Sequence, residues 1–123
     1  MAFMTDRKRV IGLGSAKSGT DHFWKTTVTS VALLVVVPMF LFTFGPLLGA
    51  PYEEVIATLS RPFPAVSAAL MLIAGFYHFR LGIQMVIEDY MEGLSRKVAI
   101  VVMACVSYGL MALGLVSLAQ IAL

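Results

Sequence analysis

The chain has 123 residues, of which 59% are hydrophobic and 13% are charged, and its mean hydropathy is +0.90. Soluble domains carry about 25% charged residues, so this composition excludes an ordinary soluble domain and indicates a protein of the lipid bilayer. The formal net charge is only +2, and we expect membrane lipid, not nucleic acid, around the chain.

Residues 1–24 are predicted to form an N-terminal arm ahead of the membrane segments. This segment is polar and glycine-rich, whereas a cleavable signal peptide would place an apolar stretch near its start. We therefore expect the arm to remain on the protein, and its basic residues favour a location in the cytoplasm.

Residues 25–123 predict an all-α membrane domain with three transmembrane helices, at about 25–48, 63–89 and 97–121. Each segment is an apolar run of roughly 20 residues or more, the length that crosses a hydrocarbon core of about 30 Å. Residues 55–60 favour a short interfacial helix, and residues 91–97 ("MEGLSRK") a tight turn. Three helices make a thin bundle with little interior, so a partner protein is expected to complete it.

The basic residues are distributed unevenly along these segments. Arg61 lies between the first two helices and Arg80 lies within the second. The other seven of the nine basic residues precede the first helix or separate the second from the third: Arg7, Lys8, Arg9, Lys17, Lys25, Arg96 and Lys97. Lys and Arg concentrate in cytoplasmic segments, which predicts a cytoplasmic N-terminus and places the end of the second helix at the cytoplasmic surface.

His78 lies deep in the second helix, where an ionisable side chain is costly unless it has a partner. Gly75 and Gly82 precede and follow it at helical spacing, on one predicted face, and would leave a flat hollow beside the imidazole. One interpretation is an interhelical hydrogen bond without a ligand. The flanking glycines favour the other, in which a planar haem occupies the hollow and its iron takes the neutral imidazole as an axial ligand.

His22 is the second of the two histidines and lies near the cytoplasmic start of the first helix. One iron would not easily be bound by both His22 and His78. If the haem has two histidine ligands, the second must therefore come from another polypeptide. Arg80 points away from His78 and either extends toward the headgroups or pairs with a haem propionate or a carboxylate of another protein chain.

The second helix ends in Glu88, Asp89 and Tyr90. The simple interpretation is a solvated helix end with an interfacial tyrosine. The functional one is a quinone site, in which the tyrosine hydroxyl donates to a quinone carbonyl and the carboxylate helps to relay protons. The polar residues of the third helix, Ser107, Tyr108 and Gln120, are expected to serve packing or interfaces.

The spacing His78-x3-Gly82-x6-Asp89-Tyr90, together with the arm "GSAKSGTDHFW" (residues 14–24), resembles the small hydrophobic membrane anchor subunit of succinate dehydrogenase (respiratory complex II), in its alphaproteobacterial type. The resemblance covers nearly the whole chain. It implies a multi-pass protein of the bacterial inner membrane that belongs to the respiratory chain and the tricarboxylic acid cycle.

This resemblance also implies specific roles for residues. His78 would be an axial ligand of haem b, Tyr90 would hydrogen-bond ubiquinone with Asp89 beside it, and His22 would lie near the haem propionates. The other haem histidine would belong to the companion cytochrome b anchor subunit, and the quinone pocket would be completed by that subunit and the iron–sulfur subunit. The chain departs from the family at Thr26 and Thr27, where Gln-Arg is common, so the role of that arginine cannot be assigned to a residue of this chain.

The leading hypothesis is therefore a non-catalytic electron-transfer subunit of an oxidoreductase complex, in which a flavoprotein subunit would oxidise succinate. The single cysteine cannot ligate an iron–sulfur cluster. Three alternatives remain: a quinol:fumarate reductase anchor, a small proton-coupled transporter, and an anchor or assembly factor without cofactor. The acidic residues all lie at helix ends, which disfavours the transporter. The cofactor-free anchor predicts that His78 can be replaced without spectroscopic change.

Overall fold

The fold is given by a computed structural model that describes residues 5–12 and 19–123. Within these ranges every regular element is a helix, in the following chain order: α1 (Asp6–Ile11), α2 (Gly19–Phe44), a 3-10 turn (Gly45–Leu47), α3 (Tyr52–Leu59), α4 (Pro62–Tyr90) and α5 (Gly93–Ala122). Predictions about residues 1–4 and 13–18 of the arm lie outside the described residues.

Three stretches of the described chain are long and apolar enough to cross a membrane: Thr20–Leu47, Pro62–Tyr90 and Gly93–Ala122. Their lengths of 28, 29 and 30 residues correspond to more than 40 Å of helix at about 1.5 Å per residue. The structure thus confirms the predicted fold class, an all-α membrane protein with three candidate transmembrane helices.

Helix α2 begins at Gly19, several residues before the predicted start near residue 25. Asp21 lies in its first turn and forms an ion pair with Lys25, one turn further on. An acidic residue near a helix N-terminus and an ion pair at this spacing both favour helix formation. These polar contacts extend the helix beyond its apolar segment, which is why hydropathy alone places the start too late.

The connection between α4 and α5 is shorter than predicted. Only Met91 and Glu92 separate the two helices, and Gly93 is already the first residue of α5. Gly93 has a φ of 63°, a left-handed conformation that glycine adopts without the steric cost of a Cβ. The chain can therefore reverse within a few residues, so that most of the "MEGLSRK" segment is helical.

Helix α4 is the centre of the bundle, because it packs against α2 on one side and α5 on the other. The short helix α3, which begins at Tyr52, earlier than predicted, contacts α4 and α5. Few apolar side chains are buried in the described part of the chain: Val36, Ala68, Leu81 and Ile87. The accessible surface is 9246 Å², whereas a compact soluble protein of 13.3 kDa would expose about 6,500 Å². Most apolar side chains therefore face outward, as expected for helices that contact lipid or other protein.

Helices α4 and α5 approach closely where Gly114 faces Leu72. A Cβ added at Gly114 would lie 3.1 Å from both Cδ atoms of Leu72, whereas one added at Gly109 would meet nothing within 4 Å. We expect Gly114→Val to lower the free energy of unfolding by about 1–3 kcal/mol through overpacking. Gly109→Val is the matched control, and thermal unfolding of the detergent-purified protein measures both. Equal losses in the two variants would contradict the close approach.

Candidate functional site

The site is organised around the contact between His78 of α4 and Thr29 of α2. His78 is half-buried, and its Nδ1 lies 2.9 Å from Oγ1 of Thr29. All other side-chain hydrogen bonds among the described residues join positions at most four apart. This bond is therefore the one that joins two transmembrane helices within the described chain.

This contact agrees with the simpler interpretation of His78, an interhelical hydrogen bond, without excluding the other. The bond occupies Nδ1 only. An imidazole has two ring nitrogens with separate roles, and a histidine that ligates a metal commonly donates from the other nitrogen to a nearby acceptor. The two interpretations of the sequence are therefore compatible at one residue.

The glycines on either side of His78 are open, but Gly75 does not share one hollow with it. A Cβ added at Gly75 or Gly82 would meet nothing within 4 Å. Gly75 contributes to an apolar groove of about 400 Å³ between α4 and α5, whose other lining residues are Met71, Phe76, Phe79, Met103, Val106 and Leu110. His78 does not line this groove and contacts α2 instead. Gly75 and His78 are three residues apart, which is about 300° of helix rotation and so about 60° short of a full turn. This difference in direction is enough for the two residues to face different neighbours of the central helix α4.

His22 lies on the same face of α2 as Thr29, seven residues earlier and therefore nearly two turns away, about 10 Å along the axis. It is half-buried, and its Nε2 is a buried atom without a hydrogen-bond partner among the described residues. The two histidines thus lie at different depths of the bundle, in line with the expectation that one iron would not be bound by both.

Arg80 and Lys25 are the basic side chains near this contact, on α4 and α2 respectively. Lys25 is exposed and pairs with Asp21. Arg80 is half-buried and forms no salt bridge with a described residue. The guanidinium is therefore available to an acidic group from outside the described chain.

The end of α4 presents its polar side chains to the outside. Asp89 and Tyr90 are exposed, and Tyr90 retains 86% of its accessible surface. Glu88 accepts a 2.8 Å hydrogen bond from Nε2 of Gln84, whose Oε1 is buried and has no partner among the described residues. The described residues of this chain therefore do not enclose a pocket around Tyr90, and other proteins would have to supply its walls.

Thr29 and Gln84 are the residues of this region that the sequence did not single out. Thr29 is one of several hydroxyl residues near the start of α2, and its neighbours Thr26, Thr27 and Ser30 bond only to carbonyls of their own helix. Only the register of α2 against α4 distinguishes it. Gln84 could have been singled out from the sequence, because it is a polar residue inside an apolar segment.

Three membrane-length helices, with an imidazole held between two of them, define a small integral membrane protein with an ionisable side chain inside its bundle. Residues 1–115 match the family model described as succinate dehydrogenase/fumarate reductase transmembrane subunit. The chain belongs to this family, as the resemblance in its sequence predicts, and is a multi-pass protein of the bacterial inner membrane.

Three relatives that share one description match this chain over part or all of its length. It is 39% identical over 123 residues to the succinate dehydrogenase hydrophobic membrane anchor subunit of Paracoccus denitrificans, a match that covers 100% of this chain and 95% of the relative. The protein of that description from Rickettsia bellii is 32% identical over 79 residues, or 64% of this chain and 63% of the relative. Its counterpart from Rickettsia conorii is 34% identical over 80 residues, or 64% of each chain. No solved structure matches the chain.

Proposed function

We propose that this chain is the hydrophobic membrane anchor subunit of succinate dehydrogenase. In this role it holds the flavoprotein and iron–sulfur subunits at the membrane, shares haem b with the companion cytochrome b anchor subunit, and lines part of the ubiquinone-reduction site. The observation that carries the proposal is a half-buried histidine between two membrane helices in a chain of this family.

The residues of this chain fit a haem at His78. The imidazole lies within the bundle with one ring nitrogen bonded to Thr29. Gly82 follows one turn later, with open space where a Cβ would stand, so the helix surface beside the imidazole is flat. The family to which this chain belongs consists of cytochrome b-type membrane subunits, which supports haem b as the type of cofactor. When bound, the haem supplies a one-electron carrier, whose potential its axial ligands and their hydrogen bonds set.

Two further groups fit the acidic propionates of such a haem. Arg80 lies two residues beyond His78 and has no salt-bridge partner among the described residues. His22 has a buried Nε2 that also lacks a partner there. A buried polar atom without a partner is costly, so an acceptor that arrives with the haem or with another protein chain would stabilise this region.

Tyr90 and Asp89 are proposed to meet the quinone at the cytoplasmic end of α4. The hydroxyl of Tyr90 would donate a hydrogen bond to a quinone carbonyl, and Asp89 would help to relay protons during reduction. The high exposure of Tyr90 supports a pocket completed by the companion anchor and the iron–sulfur subunit. The excess of basic residues favours a cytoplasmic location for this end of α4, and electrons would arrive there from the iron–sulfur subunit.

A quinol:fumarate reductase anchor is the second candidate, since the family description includes fumarate reductase. It differs from the first in the physiological direction of electron flow. The transporter hypothesis gains no support from the family match. The cofactor-free anchor is separated from the proposal by the effect of replacing His78.

Deleting the gene for this chain tests its anchor role. Dye-linked succinate dehydrogenase activity is expected to move from the membrane fraction to the soluble fraction, because the peripheral subunits lose their attachment. A plasmid copy of the wild-type gene should restore the distribution, and a membrane NADH dehydrogenase serves as the fractionation control. Succinate dehydrogenase activity that stays on the membrane after the deletion would contradict the proposal.

A further inference from the structure

We propose that Thr29 is a positioning residue for the haem ligand: its hydroxyl accepts a hydrogen bond from Nδ1–H of His78 and so leaves Nε2 free to bind iron. This inference rests on the proposed function, since it assigns Thr29 a role relative to the haem. Thr29 would act through His78 and would not touch the haem iron itself.

The direction of the hydrogen bond follows from the number of hydrogens available. Oγ1 of Thr29 lies 2.9 Å from the carbonyl oxygens of Lys25 and Thr26, and also 2.9 Å from Nδ1 of His78. A hydroxyl has one hydrogen to donate and two lone pairs to accept with. In a helix surrounded by apolar groups, threonine commonly donates to the carbonyl one turn earlier. With its hydrogen used there, the hydroxyl can meet Nδ1 only as an acceptor.

This direction fixes the tautomer of the imidazole. A neutral imidazole carries its proton on one nitrogen and a lone pair on the other. When Nδ1 carries the proton and donates it to Thr29, Nε2 has the lone pair that a metal requires. The opposite direction would place the proton on Nε2 and block ligation at that atom.

Thr29 differs from the neighbouring hydroxyl residues of α2. Thr26, Thr27 and Ser30 donate to the carbonyls of His22, Phe23 and Thr26, respectively, all within the same helix. Thr29 makes the same kind of bond within α2 and in addition reaches α4. Since α2 and α4 both hold the contact, the imidazole ring is fixed in orientation as well as in tautomer. Partners of this kind also raise the basicity of a ligand, and losing one commonly lowers metal affinity about 10- to 100-fold.

Thr29→Val tests this role, because it keeps the branched shape and removes the hydroxyl. The purified complex is compared with Thr29→Ser, which retains a hydroxyl, and with Thr27→Val, which removes a hydroxyl that bonds only within α2. We measure the haem midpoint potential, the g-max of the ferric haem in electron paramagnetic resonance, which reports the orientation of the axial imidazole planes, and haem retention. We expect Thr29→Val to raise the potential, shift g-max and lower haem affinity about tenfold, while the other two variants stay close to wild type.

Three results would overturn the role of Thr29: an unchanged potential and g-max in Thr29→Val, an equal change in Thr27→Val, or an equal change in Thr29→Ser. Thr29→Ala removes the same hydroxyl without filling its place, and it is measured in the same way if Thr29→Val does not assemble. A wild-type complex without haem would overturn both this inference and the haem part of the proposed function. A haem that ignores Thr29 would overturn only the inference.

Discussion

The b-type haem bands of the purified complex are expected to disappear, or to change to those of a differently ligated haem, in a His78→Ala variant. The imidazole lies inside the bundle and is the group of this chain proposed to hold the iron. The methyl side chain of alanine has no lone pair to bind iron, so the haem would keep at most the axial ligand that the companion anchor subunit supplies. The difference spectrum between the dithionite-reduced and air-oxidised complex measures the loss.

Two control variants make this result specific to ligation. His22→Ala removes the other histidine, which lies nearly two turns from Thr29 along α2, and should leave the iron ligands intact. Thr29→Val breaks the same interhelical bond as His78→Ala but retains the imidazole. Bands that persist unchanged in His78→Ala would show that His78 does not hold the haem.

Succinate-dependent ubiquinone reduction is expected to fall by about tenfold or more in a Tyr90→Phe variant. The substitution removes one hydroxyl from an exposed ring at the end of α4 and should leave the fold intact. A donor to an oxygen that gains negative charge during reaction contributes more than an ordinary hydrogen bond. Reduction of an artificial dye by succinate occurs before the quinone step and should remain at the wild-type rate.

Tyr52→Phe is the matched control for this variant. Tyr52 is the first residue of α3 and is also strongly exposed, with 75% of its surface accessible, but it precedes α4 and so lies at the other end of the bundle. Its loss should affect neither quinone nor dye reduction. Quinone reduction that is unchanged in Tyr90→Phe, or lowered equally in Tyr52→Phe, would remove Tyr90 from the proposed quinone site.

The apolar segments of the sequence were sufficient to predict the three membrane helices, because helix length and hydropathy are local properties. The boundaries were less predictable, since they depend on polar details. Asp21 and Lys25 stabilise a start that hydropathy does not mark, and the left-handed conformation of Gly93 shortens a connection that composition predicts to be longer.

In the candidate site, too, some features could be predicted from the local sequence and others could not. His78 stands out in the sequence because a histidine in an apolar helix is rare and costly. Its partner Thr29 lies 49 positions away, and the contact depends on the register of α2 against α4, which no local pattern encodes. The separation of Gly75 from His78 likewise depends on helices packing on both sides of α4.

The most direct test of the whole account is the optical spectrum of the wild-type complex, purified in detergent through a tag on this chain. The account predicts that the preparation oxidises succinate with an artificial dye and shows sharp b-type bands on reduction. A preparation without succinate dehydrogenase activity would contradict the anchor role. An active preparation without b-type bands would contradict the proposed role of His78 as a haem ligand.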